Sequence, residues 1–111
     1  MSEAIEKIAQ FKEVVELFPD DPVARFGLAN AYLEGGQAEE AAREYQETLR
    51  LKPDYTAAHR GLGRALERAG RLADAKAAYL AGVEVASRTG DLQTKKEMEV
   101  FLKRLEKRGV T

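Results

Sequence analysis

Residues 28–51 read LANAYLEGGQAEEAAREYQETLRL, and residues 62–85 read LGRALERAGRLADAKAAYLAGVEV. Leu28, Ala29, Ala31, Gly36, Ala41, Tyr45, Leu49 and Leu51 recur, 34 residues on, as Leu62, Gly63, Ala65, Gly70, Ala75, Tyr79, Val83 and Val85. A fixed period carrying small and large residues at set places marks stacked helical hairpins. Each unit of such a stack buries its apolar face only against its neighbours. The pattern therefore predicts an all-α superhelix and points to binding rather than catalysis.

Proline and glycine divide the rest of the chain into six helices. The first covers residues 2–18, with Ile5, Ile8, Phe11, Val14, Val15 and Phe18 as its apolar set, and stops before Pro19 because a residue preceding proline avoids helical geometry. Asp21 caps the second, with Pro22 at its first position, where the missing N–H is harmless. It runs to about Glu34 and ends at Gly35-Gly36. The third spans about Ala38 to Leu51. Asp54 is expected to cap the fourth, which reaches Ala69; the fifth covers about 72–88. Asp91 is expected to cap the sixth, Leu92 to Arg108, whose apolar set is Leu92, Met98, Phe101, Leu102 and Leu105. Turns of two or three residues make successive helices antiparallel neighbours.

The chain has 111 residues, 44% of them hydrophobic, with no apolar run approaching the ~18 residues of a membrane span. Met1-Ser2-Glu3-Ala4-Ile5-Glu6-Lys7 lacks the basic region and apolar run of a secretory signal, which makes the cytoplasm the expected location. The absence of cysteine removes disulfides, thiolate catalysis and cysteine-ligated metals. A net charge of −1 provides no global field for nucleic acid or anionic lipid. One asparagine and four glutamines beside abundant Arg, Glu and Lys follow the thermophile bias away from labile amides.

Residues 21–54 and 55–89 resemble two tetratricopeptide repeats. Leu28, Ala29 and Tyr32 match the L-G-x-x-Y of that family's helix A, and Ala41, Tyr45 and Pro53 match the A, F/Y and P of its helix B. The second unit has Leu62, Gly63, Ala75 and Tyr79, with Leu66 in place of Tyr and Ser87 in place of Pro. Where the family has Trp near the start of helix A, Arg25 and His59 stand instead. The resemblance implies one domain over 1–111: an N-terminal half-repeat (1–20), two repeats, and a C-terminal capping helix (90–111).

It also implies a concave groove built from helix A of each unit. Val23, Phe26, Asn30, Leu33 and Glu34 would come from the first, and Ala57, Arg60, Arg64, Glu67 and Arg68 from the second. Arg60, Arg64 and Arg68, four residues apart, share one helix face. Guanidinium forks suit carboxylates, and Asn30 offers an amide to a peptide backbone. Phe26, Asn30, Leu33, Arg60, Arg64 and Arg68 are thus the candidate site for a short acidic or C-terminal peptide. The set differs from the carboxylate clamp of chaperone-binding members, which has Lys at the positions of Phe26 and Arg60 and Asn at that of Arg64.

The alternative is self-association, as a homodimer, through the broad apolar set of the first helix, with Ile5, Ile8 and Phe11 as contacts. Other chemistry finds no support. His59 is the sole histidine, and a general base or zinc site needs partners. Gly61-Leu62-Gly63 lacks both a preceding strand and a third glycine for a dinucleotide loop. Lys95, Lys96, Lys103, Arg104, Lys107 and Arg108 alternate with Glu97, Glu99 and Glu106, which cancels the field a phosphate backbone would need. The reading is a protein-binding adaptor, not an enzyme, with no cofactor, no metal, no nucleic-acid partner and no membrane partner.

Overall fold

The computed structural model describes residues 3–111; Ser2, placed by the sequence reading in the first helix, lies outside the described residues. Six helices follow one another: α1 (Glu3–Leu17), α2 (Pro22–Glu34), α3 (Ala38–Leu51), α4 (Thr56–Arg68), α5 (Leu72–Thr89) and α6 (Leu92–Lys107), with no strand among the described residues. Asp21 Oδ1 accepts from the Val23 N–H at 2.9 Å, and Asp91 Oδ1 accepts from the Thr94 N–H at 3.2 Å. Each satisfies a donor that the first helical turn leaves unpaired. Asp54 does not cap α4. That helix begins at Thr56 behind Tyr55, which makes no side-chain cap bond. The 34-residue counterpart of Asp21 is Tyr55, so Asp54 falls one residue too early.

Gly36 and Gly70 end α2 and α4 with φ of +78°, which glycine adopts without the steric cost a Cβ would bring. The following amides, Gln37 N–H and Arg71 N–H, bond back to Tyr32 O (2.9 Å) and Leu66 O (2.8 Å).

Each helix packs on the next. In addition α2 touches α4 and α4 touches α6, whereas α1, α3 and α5 do not meet one another. The stack therefore has an inner layer of α2, α4 and α6 and an outer layer of α1, α3 and α5. Aromatic rings join the layers at the repeat period. Phe11 covers Gly27 and Tyr45 covers Gly61, so a Cβ at either glycine would lie 2.3–2.5 Å from the ring; Gly63 lies under Tyr79 in the same way. Ala29/Gly63 and Ala41/Ala75, which recur at the repeat period, are small residues buried between the helices. Gly27/Gly61 are a further pair, sharing the same 34-residue spacing.

A second periodic device sits at the corners. Arg25 Nε donates to Pro19 O at 3.0 Å, and His59 Nε2 lies 3.0 Å from Pro53 O. A carbonyl only accepts, so the imidazole Nε2 carries the proton. At the positions where the family it resembles has Trp, this chain ties the second helix of each corner back to that corner through a side-chain donor.

The apolar residues of α1 are divided. Ile8 (8% exposed) and Val15 are buried with Phe11 packed beside them, whereas Ile5 (54%) and Leu17 (73%) face outward. Helical geometry turns Ile5 roughly 90° from the buried stripe. Ile5, Ile8 and Phe11 thus do not form one exposed face, because α2 already covers the last two. On α6, Leu92 is likewise exposed, off the stripe formed by Met98 and Leu105.

Candidate functional site

Two recesses open along these helices. One, of about 150 Å³, is lined by Arg64, Glu67 and Arg68 of α4 and Phe101 and Arg104 of α6. The other, of about 360 Å³, lies between α1 and α2 and is lined by Lys7, Gln10, Phe11, Gly27, Asn30, Ala31 and Glu34. Positions 30, 34, 64 and 68 belong to both the expected groove and these recesses. Each 34-residue step carries the chain to the same face of the next inner helix.

The four arginines of this region are not equivalent. Arg60 Nη1 donates to Glu97 Oε1 at 2.6 Å, so α6 takes the first step of the expected arginine ladder into an ion pair. Arg68 reaches back to Leu33 O at 3.3 Å. Arg64 and Arg104 lie 5.5 and 5.6 Å from the centroid of the Phe101 ring, within cation–π range. Among the described residues, Arg64, Arg68 and Arg104 form no ion pair. The acid beside them, Glu67, accepts the Tyr79 hydroxyl at 2.5 Å through Oε2 and faces Arg108 at 3.8 Å through Oε1. The recess is therefore cationic, with guanidinium donors in excess of acceptors. Arg104 and Phe101 belong to no repeat, and the period that marks Arg64 and Arg68 gives no sign that the capping helix brings them to the same recess.

The remaining expected residues have mixed fates. Phe26 stacks on Tyr55 (centroids 4.8 Å apart) and meets Tyr45 edge-on at 5.9 Å, packed against the core and lining neither recess. Leu33 is likewise partly buried against the core and lines neither recess. Asn30, on the lining of the second recess, accepts the Tyr45 hydroxyl through Oδ1 at 2.5 Å, a bond that does not use its amide N–H groups. Burial raises the Tyr45 phenol to about 12, against the lowering effect of Arg60, Arg64 and Arg68. Burial, then the bond to Glu67, also raises Tyr79. Both phenols stay protonated at neutral pH and act as donors.

Among the described residues, no group of three or more His, Cys, Asp or Glu is placed to hold a metal, and no helix is long and apolar enough to cross a membrane.

A tetratricopeptide repeat model matches residues 8–56 and again 26–90, together well over half the chain. The chain belongs to the tetratricopeptide repeat family. It is 42% identical over 88 residues to a TPR repeat-containing protein of Pseudomonas aeruginosa, covering 79% of this chain and 84% of that one. Its fold is similar to the solution structure of a Bordetella parapertussis protein (TM-score 0.80, 31% identity, 91% and 88% of the two chains). It is similar too to the Sgt2 TPR domain of Aspergillus fumigatus (TM-score 0.81, 26% identity, 96% and 71%). The tetratricopeptide fold generally mediates protein–protein interaction, and its members are typically non-enzymatic scaffolds.

Proposed function

We propose that this protein is an adaptor that holds a short acidic peptide, or an acidic C-terminus, on its inner surface. The observation that carries this reading is the cationic recess between α4 and α6. There Arg64 and Arg104 lie over Phe101, Arg68 lines the same recess, and none of the three is ion-paired with its one acid, Glu67. Planar guanidinium forks bind carboxylates in a bidentate way that an ammonium cannot reproduce. The stacking of Arg64 and Arg104 on Phe101 holds two of the forks before the ligand arrives, which lowers the ordering cost of binding.

The peptide would continue along α2, where the Asn30 amide offers backbone hydrogen bonds and the recess over Phe11 and Gly27 takes an apolar side chain. Arg60 has no direct part, being paired with Glu97. A surface this short supports micromolar binding, about −8 kcal/mol. Salt weakens it, because the contacts are solvent-accessible charges.

The test is selection from a displayed random hexapeptide library with free C-termini, using wild type and an Arg64→Glu/Arg104→Glu variant of confirmed helicity. Enrichment of Asp and Glu by wild type alone supports the reading. The same enrichment by both proteins, or none by wild type, removes it.

A further inference from the structure

We propose that copies of this chain associate end to end, the outward face of α1 in one copy docking on the outward face of α6 in the next. Three independent observations lead there.

The first is charge. Residues 1–54 carry twelve acidic and six basic side chains, and residues 55–111 carry seven acidic and twelve basic. A net charge of −1 thus conceals an acidic end and a basic end. These are opposite ends of the stack, since α1 touches α2 alone and α6 touches only α4 and α5.

The second is the position of exposed apolar side chains. Ile5, Val14, Leu17, Phe18 and Val23 lie at one end and Leu80, Leu92 and Val100 at the other. Among the described residues, no large apolar side chain between Val23 and Leu80 is exposed. Apolar surface confined to the ends of a stack is surface that a neighbour would cover.

The third is register. On α1, Glu6 and Glu13 are exposed and lie opposite the buried Ile8–Val15 stripe, with Leu17 beside them. On α6, Lys96 and Lys103 are exposed opposite the buried Met98–Leu105 stripe, with Leu92 and Val100 flanking them. Both pairs are seven residues apart, about 10.5 Å along a helix. Antiparallel docking, the relation of every successive helix pair in this chain, sets Glu6 against Lys103 and Glu13 against Lys96. Among the described residues, none of these four side chains forms an ion pair.

The contact is heterologous. Two α1 faces would oppose glutamate with glutamate, and two α6 faces lysine with lysine, so a two-fold dimer through either end is disfavoured. Successive copies would extend the stack and present their inner surfaces in one line.

Sedimentation equilibrium at low and high salt tests this with two variants, Glu6→Lys/Glu13→Lys and Lys96→Glu/Lys103→Glu. Both change exposed residues, and circular dichroism checks their helicity. Wild type at low salt should show a mass that rises with concentration above the 12.3 kDa of one chain, and salt should return it to one chain. Each variant alone should remain a single chain, and mixing the two should restore association, since each then offers the charge the other lost. A wild type that stays at the single-chain mass at about 200 μM in low salt overturns the proposal. So does association that survives in the α6 variant alone, which would place the contact between α1 faces.

Discussion

The Tyr45 ring lies so close over Gly61 that a methyl group at residue 61 would sit 2.5 Å from its Cε1 and Cζ. Replacing a helical glycine by alanine normally stabilises by about 0.5–1 kcal/mol. Here the ring is 1% exposed and tethered to Asn30, so it cannot swing aside. Overpacking a well-filled site costs about 1–3 kcal/mol, enough to reverse the usual sign. Gly61→Ala should therefore lower stability in urea melts. In a Tyr45→Ala background, itself weaker by about 3–5 kcal/mol, the same change should be neutral or favourable. Two additive effects would show that ring and glycine do not meet.

This contact also marks what the sequence made legible. The period, the six helices and the Asp21 and Asp91 caps follow from spacing alone, because each depends on a residue's neighbours along the chain. The Asp54 cap failed because one residue of phase decides which side chain meets the first turn. The groove was half legible. The repeat put Asn30, Arg64 and Arg68 on matching faces, but α6 does not keep that period. No spacing rule showed that Glu97 takes Arg60, or that Phe101 and Arg104 join Arg64. Ile8 and Phe11 were misassigned to an exposed flank for a related reason: an apolar set does not reveal which members its neighbour covers.

Alkaline pH should weaken the fold through its buried phenols. Tyr45 titrates at about 12 in the folded protein, and Tyr79 is also raised, against about 10 in an unfolded chain. Between those values the unfolded state has lost a proton that the folded state keeps, so stability falls as pH rises. The contribution is fully present below pH 10 and declines from about 10 to 12. Thermal melts between pH 8 and 11.5 should show the loss, and Tyr45→Phe/Tyr79→Phe should flatten it. An unchanged slope in that double variant would count against buried phenols as the cause.

Asp91 and Asp54 should respond differently to removal. Asp91 accepts from the Thr94 amide and from the Thr56 hydroxyl, linking the start of α6 to the start of α4. Those bonds hold its carboxyl below the usual range, so its contribution is present above about pH 4 and is lost as pH falls through the lowered value. Asp91→Ala should cost about 1 kcal/mol at neutral pH, the usual value of an N-cap. Asp54→Ala, in an exposed corner ahead of an uncapped helix, should stay within about 0.5 kcal/mol of wild type. Chemical denaturation of both variants decides the contrast.

On the proposed function, Arg64, Arg68 and Arg104 act together as the anion-recognising part of the inner surface. The most direct measurement follows the arginine Nε–Hε signals by NMR during titration with an acetylated hexapeptide rich in Asp and Glu, carrying one leucine and a free C-terminus. Saturable shifts are expected at Arg64, Arg68 and Arg104 with a micromolar Kd, about −8 kcal/mol, while Arg25, Arg50 and Arg71 stay in place. Unsaturated shifts of equal size across all arginines, or none at millimolar peptide, would contradict it.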